Sequence, residues 1–416
     1  MAVDQNLLIM EYMKKTAEKH GLVCLLHEKP YAGLNGSGKH NNWSLNTESG
    51  KNLLDAGKTP SENVKFLLIL AAILKAVDDY QDLMRISVAF AGNDHRLGAN
   101  EAPPAIVSVF LGEELDSIID SIVNGDVYKG KKAGIMDLGI PSIPTFRKDT
   151  TDRNRTSPFA FTGNKFEFRM LGSSQNIAMP NIVLNTAVAE SFRQFADVLE
   201  AADDFDAAVA ALMKETFAKH RRIVFDGNGY SEEWEKEAEK RGLLNLKNSV
   251  DAYKCFDLKK NIELFTTHGV MNETEVSSRK DILFENYSKI INIEARTMIE
   301  MAGRDIIPAV NDYVGDVADT AAAKLAVLPD VSCEVEKDII KKLSALNAKA
   351  YAKVEELRDV EAKAVAISDH EKMADFYCNE VIPVMTELRE IVDNMETMTA
   401  SEYWPLPSYG DMMFGI

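Results

Sequence analysis

The chain has 416 residues, of which 46% are hydrophobic and 27% charged, a composition typical of a folded globular protein. Its 47 basic residues are outnumbered by 65 acidic ones, and the net charge of −18 disfavours nucleic acid as a partner. The longest apolar run, Phe66 to Leu74, is shorter than the roughly 20 residues of a membrane span, so no membrane partner is expected. The length predicts two or three domains.

Four widely spaced cysteines, with no Cys-x-x-Cys pair among them, favour a reduced compartment over a disulfide framework. The first residues include Asp4 and Glu11 and lack the basic start and apolar stretch of a signal peptide. We therefore expect a cytoplasmic protein.

The front of the chain predicts helices mixed with strands. Residues 1–20 have the apolar spacing of an amphipathic helix, and residues 22–27 form an apolar run typical of a strand. A second extended stretch is expected around residues 43–47. Residues 59–62, Thr-Pro-Ser-Glu, have the pattern of a capping box, which would open a largely buried helix ending near Leu83.

The next segments predict a strand, a loop and another strand. Residues 85–90 are rich in apolar residues and predict a strand. Residues 130–162 are rich in Gly, Pro, Thr and Asp and predict a loop that crosses an active site. Residues 165–170 alternate charged and apolar side chains, which predicts a half-buried strand.

Beyond residue 181 the pattern becomes helical. Apolar side chains recur every three or four residues and predict four helices, over residues 183–202, 205–225, 336–366 and 370–395. We therefore divide the chain into an α+β front domain, residues 1–180, and a mostly helical region, residues 181–416.

A glycine-rich loop, Asn35-Gly36-Ser37-Gly38-Lys39-His40, is the first stretch that suggests chemistry. Its glycines permit positive φ and a close approach to a ligand, whose negative charge the backbone N–H groups can face. His40 stands where the loop returns to regular structure, a suitable place for a metal ligand. Taken alone, such a sequence is more often a plain turn with a surface histidine.

A second stretch combines cations with a carboxylate. On a strand, Lys165, Glu167 and Arg169 share one face because side chains alternate with a period of two. Such a face is either the solvated side of an edge strand or a wall for phosphate and a divalent metal. Two preceding loops add further charged groups, namely Arg96, Glu101 and Arg155.

Taken in chain order, these motifs resemble those of glutamine synthetases. The family has the same succession of Lys-Pro, the Asn-Gly-Ser-Gly-x-His loop, the Arg-Leu…Glu-Ala-Pro loop, the Asn-Arg-Thr segment and the Glu-x-Arg strand. Three sequence segments are similar to those of the type III class: HEKPYAGLNGSGKHNNWS, GNDHRLGANEAPPAI and, near the C-terminal end, YWPLPSY. The resemblance covers essentially the whole chain.

The resemblance implies a fold and a reaction. The fold is the α+β barrel shared by glutamine synthetases and guanidino kinases, present here in part and followed by a mostly helical region. The reaction joins ammonia to L-glutamate: ATP phosphorylates the γ-carboxylate, and ammonia then displaces phosphate. Because negative charge crowds such a site, it needs arginines and divalent ions, Mg²⁺ or Mn²⁺. Family members form rings, so a homo-oligomer is also implied.

The resemblance also assigns roles to individual residues. His40 and Glu167 would bind a metal ion. Contacts with glutamate are implied for Asn35, Gly36, Gly38, Arg96 and Arg169. Contacts with the nucleotide are implied for Asn42, Ser44, Arg155 and Lys165. Arg96 and Arg155 would act in phosphoryl transfer, and Glu101 matches the flap glutamate that closes over the substrate and helps to deprotonate ammonium.

The match also has departures. Asn42 stands where many family members carry a second histidine, and Lys165 where many carry arginine, which unlike lysine binds phosphate bidentately. The further glutamates of the family's two-metal site are not found before Asn35. We therefore expect this chain to be the C-terminal portion of a longer or split enzyme. Two alternatives remain open: a catalytically incomplete nucleotide-binding or assembly module, and a ligase that joins glutamate to another amine.

Overall fold

The computed structural model describes residues 2–24, 26, 38–98, 102–128, 135–136, 146–147, 156–408 and 410–411. The chain divides into two compact units, one of residues 1–10 and 25–280 and the other of residues 11–24 and 281–416. In the part of the chain that is described, no helix is long and apolar enough to cross a bilayer.

The first unit combines short strands with helices. The N-terminal helix, α1 (Ala2–Lys19), contributes residues to both units. The strands are β1 (Gly38–Trp43), β2 (Val109–Phe110), β3 (Ile135–Met136), β4 (Phe146–Arg147), β5 (Phe159–Phe161) and β6 (Phe166–Gly172). The helices are α2 (Val64–Asp79), α3 (Gln81–Ile86), α4 (Ala91–Asp94), α5 (Glu113–Asn124), α6 (Ala178–Glu200), α7 (Phe205–His220), α8 (Glu232–Lys240), α9 (Ser249–Tyr253) and α10 (Lys259–Thr267).

Four strands form one mixed sheet in the order β1-β6-β5-β2, and β3 pairs separately with β4. β6 is antiparallel to both of its neighbours, whereas β2 runs parallel to β5. The strand expected over residues 165–170 is therefore confirmed as β6. Since β6 lies inside the sheet, the alternative interpretation of its charged face as a solvated edge strand is wrong.

The apolar face of β6 forms the core of the sheet. Phe166, Phe168 and Met170 are completely buried, and the rings of Phe166 and Phe159 stack with centroids 4.6 Å apart. The period of two predicted from the sequence thus separates a buried aromatic face from the face that carries Glu167.

Helix α2 is buried along most of its length, as its apolar run predicts, but it begins later than expected. Residues Pro60–Glu62 form a 3₁₀ turn, and Thr59 makes no side-chain capping bond. Asn63 is the cap: its Oδ1 accepts a hydrogen bond from the Phe66 N–H at 3.1 Å. The expected capping box is wrong because the asparagine satisfies a free N–H group of the first helical turn.

The strand expected over residues 85–90 is also wrong, since α3 continues to Ile86 and a turn follows. The buried Arg85 explains the difference, because its side chain donates to the Leu246 carbonyl at 2.9 Å and to Asp94 Oδ1 at 3.0 Å. These distant partners decide the local conformation. Residues 22–24 and 26 form no strand, and the remainder of that expected strand lies outside the described residues.

The helices expected after residue 181 are confirmed with different ends. Residues 183–202 correspond to α6, and residues 205–225 correspond to α7 followed by a 3₁₀ turn, Arg221–Ile223. The domain boundary at residue 180 stays a prediction.

The second unit is helical. Its helices are α11 (Glu273–Glu300, which begins in the first unit), α12 (Ile307–Val327), α13 (Glu334–Val365), α14 (His370–Phe376) and α15 (Ile382–Glu396), with π-helical turns at Met301–Ile306 and Tyr377–Val381. The helix expected over residues 336–366 is α13, and its buried stripe follows the predicted spacing at Leu343, Ala350, Val354 and Leu357. The π turn at 377–381 interrupts the helix expected over 370–395.

Candidate active site

An irregular pairing of β1 with β6 determines the position of His40. The register shifts between Lys39 and Asn41, so that Arg169 and Met170 of β6 together face the single residue His40. A β-bulge of this kind bends the strand and redirects side chains, and bulges are common beside active sites.

Glu167 lies at the centre of the charged face of β6. Its Oε2 is 3.7 Å from His40 Nδ1 and accepts hydrogen bonds from Arg169 Nη2 at 3.1 Å and Arg169 Nε at 3.3 Å. Its Oε1 is 4.0 Å from the ammonium group of Lys165. One imidazole and two cations therefore surround a carboxylate that is only 17% exposed.

Arg96 stabilises the bulge. It is 3% exposed, and its guanidinium donates to the Met170 carbonyl at 3.1 Å and the Arg169 carbonyl at 3.2 Å. These carbonyls belong to the two bulged residues, where the strand ladder is disrupted. Because buried carbonyl groups require donors, the guanidinium helps to hold the conformation that places Glu167 beside His40.

Asn93 connects the turn that carries Arg96 to the same strand. Its amide nitrogen donates to the Val88 carbonyl at 2.8 Å and the Met170 carbonyl at 2.9 Å, and its Oδ1 accepts from Arg96 at 3.3 Å. The neighbouring Asp94 accepts from the buried Arg85. A fully buried amide with these bonds fixes the turn against β6.

Gly38 makes room for the Arg96 guanidinium. A Cβ atom at Gly38 would lie 2.0 Å from Arg96 Nη2 and 2.5 Å from its Cζ, far inside van der Waals contact. Only glycine therefore fits beside this guanidinium without a rearrangement.

The electrostatics of His40 suit metal binding. Partial burial lowers the pKa of His40 below its ordinary 6.5, and the positive charge of Arg169 lowers it further, although Glu167 opposes the shift. A lowered pKa favours the neutral imidazole, the form that coordinates metals. Ligand atoms of one Mg²⁺ ion lie about 2.1 Å from it and hence at most about 4.2 Å apart, and the 3.7 Å between His40 Nδ1 and Glu167 Oε2 fits.

The fit extends to two ligands only. Within the described part of the chain, no third His, Cys, Asp or Glu side chain joins His40 and Glu167 in a group that could hold an ion. Arg169 also donates to the same Glu167 oxygen that would bind the metal. The spacing of the pair would suit one ion, but the pair offers only two ligands, and their role as metal ligands stays a prediction.

A group with three ligand residues, Asp78, Asp79 and His220, lies elsewhere in the same unit. His220 Nδ1 is 2.7 Å from Asp78 Oδ2, and Arg222 Nε is 3.0 Å from both Asp78 oxygens. Lys75 forms an ion pair with Asp79. Since these partners already satisfy the carboxylates, the group is a structural ion network that joins α2 to α7.

Comparison with known proteins finds similarity to glutamine synthetases. The family described as glutamine synthetase, catalytic domain, matches residues 1–89, and the glutamine synthetase C-terminal domain matches residues 208–325. The Type-3 glutamine synthetase of Dictyostelium discoideum is 42% identical over 428 aligned residues, which span the whole chain and 57% of that relative. The chain is thus similar to glutamine synthetases along its whole length.

Two bacterial relatives support the same assignment. The glutamine synthetases of Butyrivibrio fibrisolvens and Bacteroides fragilis (strain YCH46) are 42% and 38% identical, each over the whole chain and over 59% and 58% of their own length. The chain thus spans less than two thirds of the length of the curated relatives it matches. β6 lies outside both matched family domains but within these full-chain alignments.

Eight of the residues that the family resemblance singles out are described. Gly38, His40, Arg96, Glu167 and Arg169 come together at the bulge, and Lys165 adjoins them. Asn42 is exposed and pairs with Glu167 across the strands. Ser44 is exposed and donates to Asn52 and to the Asn164 carbonyl, each at 3.2 Å. The other four lie outside the described residues: Asn35, Gly36, Glu101 and Arg155.

The sequence alone did not predict the residues that support this candidate site. Asn93 stands in a Gly-Asn-Asp stretch with no periodic signal, and the bulge leaves no mark in the alternation of β6. Elsewhere in the first unit, a contact that the sequence analysis did not predict joins the Gly229 N–H to Thr156 Oγ1 at 2.8 Å. The Asp-Gly-Asn-Gly stretch at 226–229 could have signalled a close backbone approach.

Proposed function

We propose that this chain supplies part of the active site of a glutamate–ammonia ligase, which uses ATP to join ammonia to L-glutamate. The main observation that supports this proposal is the position of the Glu167 carboxylate beside the His40 imidazole and the cations of Lys165 and Arg169. A metal-ligand pair within an excess of positive charge suits a reaction that brings together a carboxylate and nucleotide phosphates. Relatives named glutamine synthetase support the same reaction.

Each side chain has a role in this proposal. His40 and Glu167 would hold a divalent cation, which when bound neutralises phosphate charge. Arg169 orients the Glu167 carboxylate and would face the γ-carboxylate of glutamate, and Lys165 would contact the nucleotide phosphates. Arg96 would reach the substrate only by giving up bonds to the bulge, so its contribution to binding is through the strand it holds as well as through charge.

Finer features follow from the family and belong to the same proposal. The mixed sheet would be part of a catalytic barrel, with the domain boundary at residue 180. The cation would be Mg²⁺ or Mn²⁺. The nucleotide would also contact Asn42, Ser44 and Arg155, glutamate would also contact Asn35 and Gly36, and Glu101 would close over the site. The chain would act in a homo-oligomeric ring in the cytoplasm.

A second candidate is a module that binds nucleotide and metal without turnover. It is favoured by one observation, that only His40 and Glu167 converge as metal ligands among the described residues. A two-metal mechanism stabilises both the attacking and the leaving oxygen, and a single pair of ligands does not hold two ions.

Two measurements on the purified 416-residue chain separate these candidates. Electron paramagnetic resonance measures Mn²⁺ binding, and proton NMR measures glutamine formed from glutamate, ATP and ammonium. We expect Glu167→Gln to weaken Mn²⁺ binding at least about tenfold and to abolish any glutamine formation. Glu48→Gln, at an exposed carboxylate, is the control and should change neither.

The outcomes are distinct. Glutamine formation that depends on Glu167 supports the ligase, and Mn²⁺ binding that depends on Glu167 without glutamine formation supports the module. If methylamine replaces ammonium as the better substrate, the chain belongs to a ligase for another amine. Mn²⁺ binding that Glu167→Gln leaves unchanged contradicts all of these assignments of the site.

A further inference from the structure

A groove between α2, α6 and α7 forms a cavity in the first unit. Its volume is about 300 Å³, at the lower end of the range for small-molecule sites. The lining residues come from these three helices: Lys75, Gln194, Phe195, Val198, Ala208, Ala211, Leu212, Glu215, Thr216, Lys219 and His220.

The floor of this groove holds a buried, oriented histidine. His220 is 2% exposed, and its Nδ1 lies 2.7 Å from Asp78 Oδ2. Arg222 Nε is 3.0 Å from both oxygens of Asp78, which holds that carboxylate in place. Because a carboxylate only accepts hydrogen bonds, the proton of the pair lies on Nδ1. The ring is thereby fixed in one orientation.

The opposite ring nitrogen of His220 is available to a ligand. Nε2 has no hydrogen-bond partner in the described part of the chain, although the residue lines the groove. A neutral imidazole with its proton on Nδ1 presents Nε2 as an acceptor. A hydroxyl or amino group of a bound molecule would satisfy it.

One charged group of the groove, Lys219, can meet an anion. Two lysines, Lys75 and Lys219, line it against one carboxylate, Glu215. Lys75 forms an ion pair with Asp79, whereas Lys219 has no ion-pair partner among the described residues. Because Lys219 is exposed at the rim, its ammonium group can meet a carboxylate without displacing another partner.

The remaining lining is suited to an apolar body. Phe195 is 5% exposed and Leu212 half-buried, and Val198, Ala208 and Ala211 extend the same wall. Apolar side chains with a few placed polar groups are the usual composition of small-molecule sites.

We propose that this groove binds a small amphipathic carboxylic acid that also carries a hydroxyl or amino group. The carboxylate pairs with Lys219, the apolar body packs against Phe195 and Leu212, and the hydroxyl or amino group donates to His220 Nε2. The groove is built from α2, α6 and α7, whereas the candidate active site is built from β1, β6 and the turn carrying Arg96. Binding here is therefore a property additional to the proposed ligase activity.

Three probes test the proposal on the full chain by isothermal titration calorimetry. The first, 4-hydroxyphenylacetate, has all three features. Phenylacetate lacks the hydroxyl, and 4-hydroxyphenethylamine replaces the carboxylate with an ammonium group. We expect the first probe to bind most tightly, the second about three- to tenfold more weakly because Nε2 is left without a donor, and the third not to bind measurably.

Substitutions on α7 locate the binding, and each has a matched control on the same helix. Ala211→Trp fills the groove and should abolish binding, whereas Ala210→Trp, at an exposed neighbour that does not line the groove, should not. Lys219→Glu should weaken binding of 4-hydroxyphenylacetate about three- to tenfold, whereas Lys214→Glu should leave it unchanged. Circular dichroism of each variant establishes that the helix is retained.

Three results would overturn the proposal. The first is absence of binding of 4-hydroxyphenylacetate to the unmodified chain. The second is equal binding of the amine probe, which would exclude a role for Lys219. The third is loss of binding in Ala210→Trp or Lys214→Glu to the same extent as in their counterparts, because binding would then lie elsewhere. Since none of these substitutions touches Glu167 or His40, failure here leaves the proposed ligase function unaffected.

Discussion

Replacing Gly38 with alanine tests how the candidate site is held together. The added methyl group would lie 2.0 Å from Arg96 Nη2, so the guanidinium must move. It is buried and donates to the carbonyls of Arg169 and Met170 and to Asn93, so it cannot move without breaking these bonds. We therefore expect Gly38→Ala to destabilise the bulge and to displace Glu167 from His40.

The expected magnitude follows from two effects. Overpacking a well-packed site costs about 1–3 kcal/mol, and a hydrogen bond from a charged donor contributes about 1.5–3 kcal/mol. Because the strands can shift to relieve part of the strain, we expect a net loss of about 2–4 kcal/mol. Amide hydrogen exchange in β1 and β6 should accelerate by about thirtyfold or more.

A double-mutant cycle gives the assay its specificity. In the Arg96→Ala background the clash is absent, so Gly38→Ala should cost less than about 0.5 kcal/mol, and the two substitutions should be strongly non-additive. Gly315→Ala serves as the control, because a Cβ at this exposed helical glycine meets no atom within 4 Å. It should stabilise the protein by about 0.5–1 kcal/mol. Equal effects of Gly38→Ala with and without Arg96 would refute the reasoning.

Three further predictions concern capping, protonation and the buried ion network. Asn63→Ala should lower the free energy of unfolding in urea by about 1 kcal/mol, whereas Thr59→Ala should change it little. A larger effect of Thr59→Ala than of Asn63→Ala would show that Thr59 is the helix cap after all. The pKa of His40 measured by NMR should lie below 6.5 and should rise in Arg169→Gln. Because a lowered pKa means that the folded chain binds fewer protons at His40 than the unfolded chain, the contribution of His40 to stability falls as the pH decreases through 6.5. Asp78→Asn should cost about 3–5 kcal/mol in the same urea assay, and an unchanged midpoint would contradict the network.

Local pattern was sufficient for the elements with a clear period. The alternation over residues 165–170 predicted β6 and its two faces, because side chains on a strand alternate whatever its neighbours are. The three-to-four spacing predicted α6, α7 and α13 for the corresponding reason. The ends of these helices differ from the predicted ones, and the start of α2 differs at Asn63, because the choice of cap depends on which side chain reaches a free N–H group. The π turn at 377–381 also interrupts a helix that its spacing predicted as continuous.

Prediction from pattern failed where a distant partner competes with it. The apolar run at 85–90 favours a strand, but Arg85 belongs to a helix because its side chain bonds to Leu246 and Asp94. A buried guanidinium requires such acceptors, and they lie far along the chain in the case of Leu246. No window of local sequence contains that information.

The amino-acid sequence by itself determined the similarity to glutamine synthetases, the helices and strands with regular periods, and the residue types that suit phosphate and metal chemistry. Only the tertiary structure decided that β6 is an interior strand, that a bulge sets His40 opposite Glu167, and that Arg96 and Asn93 hold that bulge. The reason is physical: periodicity is a property of neighbours in sequence, whereas register, burial and hydrogen-bond partners depend on segments that meet only after folding.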